Sequence, residues 1–275
     1  LLEHRAEHAI RLCDITKTFG SVCANDKVCL DVRPGEILAL LGENGSGKTT
    51  LMNMLAGIYF PDSGEIYVDG KEVIIRSPKD SFNLGIGMIH QHFKLVDVLT
   101  AAENIVLGLP GGVHINRAAV AEEISGIAAK YGFIIDPNKK VYNMSVSEKQ
   151  TVEIIKVLYR GANTLILDEP TAVLTPQETE KLFDVLRNMK KDGKAVIIIT
   201  HKLNEVLAIS DRVSILRKGM CITTINTKEA TVQSLTEAMV GRAISLKIYR
   251  EDVAPAVEDR LLGEGLICVN EGGIK

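Results

Sequence analysis

Gly42-Glu43-Asn44-Gly45-Ser46-Gly47-Lys48-Thr49-Thr50 is the stretch on which the reading of this chain turns. Gly42, Gly47, Lys48 and Thr49 fill the pattern G-x-x-x-x-G-K-[ST]. The five residues before it, 37–41, are all apolar and predict a buried strand. The residues after it, 51–56, predict a helix. A strand, a glycine-rich bend and a helix in that order form the setting of a phosphate-binding loop. Gly42, Gly45 and Gly47 free the backbone to curl, so that several N–H groups point inward. The new helix aims the positive end of its dipole at the same spot. Lys48 adds a full charge near the β- and γ-phosphates, and the Thr49 hydroxyl suits Mg²⁺. The candidate cradle is the whole of 42–50, with Glu43, Asn44, Ser46 and Thr50 included.

The rest of the composition sets bounds. The chain has 275 residues, enough for one large or two modest domains. A net charge of −3 gives no global pull toward nucleic acid or anionic lipid. The longest apolar runs, such as 195–199, are strand-sized and far short of the ~20 residues that cross a bilayer. Glu3, His4, Arg5 and Glu7 interrupt any apolar start, so no secretory signal is expected. Cys13, Cys23, Cys29, Cys221 and Cys268 are odd in number and form no C-x-x-C, so reduced thiols are expected.

Around the loop the pattern alternates. Residues 10–17 and 28–32 predict a small β region, with a turn at 33–35. Residues 65–68, ending in Asp69-Gly70, predict a hairpin. From 93 to 160 the pattern becomes helical, most clearly over 117–131 and 148–159. Residues 164–167 predict a strand. A helix follows over 176–191, with Thr175 as N-cap, Pro176 at its first position and Glu178 completing a capping box. Residues 195–200 predict a strand ending at His201. Residues 212–216 and 220–224 predict a hairpin, and 231–240 a last helix. Beyond 241 the charge, Pro and Gly content of 250–264 reads as a linker, and 266–269 as the start of another strand.

Asp168 and Glu169 close the predicted strand at 164–167. Ligands of an open parallel sheet gather at that end. Asp168 fits an acid that holds Mg²⁺ directly or through water. Glu169 fits a base that polarises an attacking water.

Taken together, Gly42–Thr50, Gln91, Ser145–Gln150, Asp168–Thr171 and His201 resemble, in order and spacing, the ATP-binding-cassette ATPases. The resemblance covers residues 10 to about 242. The segments 77–80, 84–93 and 171–178 are similar to the branch that powers sugar and nucleoside importers, in which two cassettes are commonly fused. That resemblance implies an α/β fold: a P-loop NTPase core with a mostly parallel sheet, an N-terminal antiparallel β subdomain and an α-helical subdomain insert near 93–160. It implies a nucleotide-binding domain over 1–242, followed at 243–275 by a linker and the start of a second cassette.

It also implies roles. Phe19 would stack on adenine. Gln91 would touch Mg²⁺ and sense a membrane subunit. His201 would stand near the γ-phosphate, with Glu169 and Lys48 as its catalytic companions. Ser145, Val146, Ser147, Glu148 and Gln150 would form the signature segment offered to a second cassette's ATP. Ser147 stands where a glycine is usual, which keeps the N–H and adds a Cβ. The implied partners are a second cassette, membrane-spanning permease subunits and, indirectly, a substrate-binding protein, with no nucleic acid. The implied place is the cytoplasmic face of the cell membrane, as a peripheral subunit. Two other readings stay open at this point. One is a soluble cassette ATPase acting on nucleic acid or the ribosome, and the other is a nucleotide-gated cassette with weak hydrolysis.

Overall fold

Two sheets share one hydrophobic interior in the computed structural model, which describes residues 7–109 and 116–242. The chain divides into Leu1–Ile244 and Ser245–Lys275. The linker and strand expected at 250–264 and 266–269 lie outside the described residues.

The first sheet holds β1 (Ile10–Phe19) and β2 (Val22–Val32). The next elements are β3 (Ile37–Leu41), α1 (Lys48–Leu55), β4 (Ser63–Val68) and β5 (Lys71–Val73). The order β2-β1-β4-β5 is antiparallel throughout. Asp69 and Gly70 both have positive φ, as a two-residue hairpin turn requires. β2 begins six residues earlier than the sequence suggested. Its first half is mostly exposed and irregular, with a bulge at Lys27 (φ 46°), so no alternation marks it as a strand.

The chain continues through α2 (Pro78–Asn83), β6 (Ile86–Ile89), α3 (Ala101–Val106), α4 (Arg117–Tyr131) and α5 (Val146–Tyr159). The three helices α3, α4 and α5 bury Ile105, Ile124, Val152 and Ile155 against one another. The other face of α5 packs Ile154, Val157 and Leu158 toward the sheet. Gly87 lets it approach, since a Cβ there would lie 2.8 Å from Val157 Cβ.

Then come β7 (Thr164–Asp168), α6 (Pro176–Lys191), β8 (Ala195–Ile199), α7 (Leu203–Ile209), β9 (Arg212–Arg217), β10 (Met220–Asn226) and α8 (Val232–Val240). The second sheet runs β10-β9-β3-β8-β7-β6, parallel except for β10. All residues of β3 and β8 are buried, as strands covered on both faces must be. Leu40 lies beside Ile199, and Asp168 beside Ile199. The C-terminal ends of β3, β7 and β8 therefore share one edge, where the phosphate loop, the two acids and His201 emerge.

Candidate functional site

Gly47 is the N-cap of α1, with φ 96° and no side chain to cap the helix. The first-turn N–H groups of α1 therefore lack the usual side-chain acceptor and stand ready for an anion. Close approach explains two glycines. A Cβ on Gly42 would lie 2.3 Å from Leu216 O, and one on Gly47 would lie 2.3 Å from Ala24 O. The loop is pressed between β2 and the end of β9, and only glycine fits at both points.

Lys48 is buried, and its Nζ donates to the carbonyls of Gly42 at 2.8 Å and Glu43 at 2.9 Å. Burial lowers its pKa, and Glu169 and Asp168 oppose that shift. Asp168 is pushed above the ordinary carboxylate range, first by burial and then by the neighbouring Glu169. The Thr49 Oγ1 stands 3.5 Å from Asp168 Oδ2. A cavity of about 230 Å³ is lined by residues 44–50 with Ala24, Gln91, Asp168, Glu169 and Ile199.

Adjacent residues of a strand point oppositely. Glu169 escapes this by adopting φ 49°, which turns the chain at the strand end and brings its side chain to the same cavity as Asp168. His201 Nδ1 lies 2.9 Å from Glu169 Oε1. A carboxylate only accepts, so Nδ1 carries the hydrogen. Glu169 Oε2 is buried without a partner.

Below the acids, Lys202 Nζ donates to Thr171 O at 2.7 Å and pairs with Glu205, to which Thr171 Oγ1 also donates. The segment carrying His201 is thus tied to the segment that follows Glu169.

Not every sequence-derived candidate gathers there. Gln91 lines the cavity, and His201 reaches it through Glu169. Phe19 does not line it. Its exposed ring meets Tyr59 edge-on at 5.1 Å, with Lys17 Nζ 5.5 Å from its centre. Ser145–Gln150 lies elsewhere, at the start of α5. Ser145 and Glu148 do form the expected capping box, with Ser145 N donating to Glu148 Oε2 at 2.8 Å. Lys139, 2.6 Å away, is the main reason that the Glu148 carboxyl titrates low. Ser147, Glu148 and Gln150 line a second cavity of about 360 Å³, between the end of α4 and α6. The Gln150 amide turns inward and donates to Pro170 O at 2.8 Å, so it braces the chain just past Glu169. Sequence reasoning missed Ala24 and Asn25. Both sit on the irregular first half of β2, which carries no strand signature.

A family model described as "ABC transporter" matches residues 25–172, more than half of the chain. The chain belongs to the ABC transporter family. It is 48% identical over 241 residues to the nucleoside import ATP-binding protein NupA of Lactococcus lactis, covering 87% of this chain and 48% of that protein. It is 47% identical over 254 residues to the guanosine import ATP-binding protein NupO of Bacillus subtilis, covering 92% of this chain and 50% of that protein. The chain thus spans about half the length of these curated relatives. A crystal structure of an ATP-binding cassette of an ABC transporter in its ADP conformation shares the fold. Its TM-score is 0.76 at 24% identity, with 86% of this chain and 99% of that chain covered.

Proposed function

We propose that this chain is an ATP-binding and hydrolysing cassette, one of two in a longer protein, that energises an importer of nucleosides or sugars. The names of the two relatives favour nucleosides. One observation carries the reading: a single cavity joins an uncapped helix N-terminus, a buried lysine, a hydroxyl–carboxylate pair and a second acid held by a histidine.

The residues fit a triphosphate with a hard cation. Glycines let the loop lie against Leu216 O and Ala24 O, where any Cβ would clash, and the buried Glu169 Oε2 lacks a donor that a water could supply. Phe19 would carry the adenine ring. Residues 42–50 would cradle the phosphates, with Lys48 leaving its loop carbonyls for the β- and γ-oxygens. Thr49, Asp168 and Gln91 would hold Mg²⁺. Magnesium, when bound, would offset charge on the phosphate oxygens. Glu169 would orient the attacking water and accept its proton, and His201 would hold that carboxylate in place.

The signature segment lines a different cavity from the phosphate loop, so a second cassette would have to supply it. Membrane-spanning permease subunits would be the wider partners, placing the chain at the inner face of the membrane as a peripheral subunit. No helix among the described residues is long and apolar enough to cross a membrane.

Calorimetric titration with ATP and magnesium tests the site. The wild-type chain should bind, and Lys48→Ala should lose at least about tenfold in affinity, since a charged hydrogen bond contributes about 1.5–3 kcal/mol. Equal affinity in the two proteins refutes the assignment.

A further inference from the structure

Asn25 belongs to none of the motifs that mark the site, yet it lies fully buried against the phosphate loop. Its Nδ2 donates to the Gly47 carbonyl at 3.3 Å. Its Oδ1 is buried and accepts nothing. An acceptor left unpaired inside a protein costs folding free energy, which an apolar side chain of similar size avoids. Stability therefore does not account for an asparagine here.

What it holds is informative. The Gly47 carbonyl also accepts from Leu51 N at 2.9 Å, the first hydrogen bond of α1. A peptide group is planar and trans, so the Gly47 C=O and the Lys48 N–H point in opposite directions. Fixing the carbonyl at its two lone pairs fixes that N–H, and aims it away from the helix and toward the phosphate side of the loop. The helix cannot do this with a side chain of its own, because its cap is glycine.

The gap is narrow as well. A Cβ on Gly47 would lie 2.7 Å from Asn25 Nδ2. The outer side of the loop is tied down in the same region. Gly219 N donates to Ser46 O at 3.2 Å, and Asp26 N to Gly219 O at 2.8 Å. β2, the β9–β10 turn and the loop are joined into one hydrogen-bonded frame.

We infer that Asn25 is a positioning residue for phosphate binding: its amide presets the Gly47–Lys48 peptide so that the Lys48 N–H is aimed before a nucleotide arrives. The inference rests on the nucleotide-binding reading above and deepens it. A donor aligned in advance gives affinity that would otherwise be lost to ordering on binding.

The test compares the 275-residue wild-type chain with Asn25→Leu and Asn25→Ala, by thermal melting and by calorimetric titration with ATP and magnesium. Asn25→Leu should melt no lower than wild type. Its Kd for ATP should rise about tenfold, equivalent to about 1.4 kcal/mol. The backbone amide resonance of Lys48 should also move in the nucleotide-free Leu variant, a change that general loss of packing would not confine to that peptide. A folded Leu or Ala variant with wild-type affinity overturns the inference. So does failure of both variants to fold, which would make Asn25 a folding determinant. A wild-type chain that binds no ATP overturns the nucleotide-binding reading itself, an outcome separate from equal binding by wild type and variant.

Discussion

Glu169 holds a backbone angle of φ 49°, a region that residues with a Cβ seldom enter. Such a conformation costs about 1–3 kcal/mol and persists only where the surroundings enforce it. Here the Glu169 N–H donates to Ile199 O at 2.9 Å, and its side chain meets His201. The end of β8 and the residue just past it thus hold both the backbone and the side chain of Glu169. A glutamine keeps this shape and loses the basic oxygen. Glu169→Gln in the full-length protein assembled with the proposed permease subunits should keep ATP bound, while turnover falls at least about 100-fold. Wild-type turnover in that assembly would remove Glu169 from the role of base. The acids were legible in the sequence because they end an apolar strand, whereas His201, at the end of another, stood out only through the family resemblance. Asn25 was not legible, because a lone asparagine beside Asp26 and Lys27 looks like exposed polar chain. Only the fold reveals that it is buried.

Among the elements, β1 shows how a local tie steadies one that function would use. Asp62, just ahead of β4, accepts from Lys17 Nζ, Thr18 N and Thr18 Oγ1, each at 2.7 Å. Lys17 above all, and then the two Thr18 bonds, lower the Asp62 pKa to about 2. A carboxyl depressed on folding adds stability above its unfolded pKa of about 3.9, and that stability fades as pH falls toward the folded value. Melting temperatures between about pH 4 and pH 2 should therefore drop more steeply for wild type than for Asp62→Asn. Parallel curves would show that the tie has no effect on folding. Phe19 follows Thr18 directly, so the same variant loosens the residue proposed to meet adenine. Legibility at this scale followed length. The five-residue apolar strands β3 and β8 and the capped helix α6 carry strong patterns, and the structure contains them. α2 and α7 have six and seven residues, under two turns, too few to display a helical period. β6 carries Gly87 because α5 crosses it closely, and that glycine blurs the apolar run that would have marked a strand.

At the scale of the whole molecule, the cavity beside the phosphate loop contains no residue of 145–150, and the cavity beside 145–150 contains no residue of the loop. On the proposed reading, residues 145–150 of another cassette would complete the site. At the start of α5 the Glu148 N–H is satisfied by Ser145 Oγ at 3.3 Å. Val146 and Ser147 are the first two residues of the helix, where the backbone amides have no partner within the helix itself. A phosphate on another cassette would supply an acceptor, and nucleotide held between two cassettes contacts both only when they close. Hydrolysis should then depend on encounter. For the isolated chain, turnover per molecule should be low and should fall on dilution, in proportion to protein concentration where pairs are scarce. A steady-state assay over a hundredfold dilution series at saturating ATP measures this directly. Turnover per molecule that stays high and constant across the series would mean that the site is complete in one chain, and that the signature segment acts in some other way.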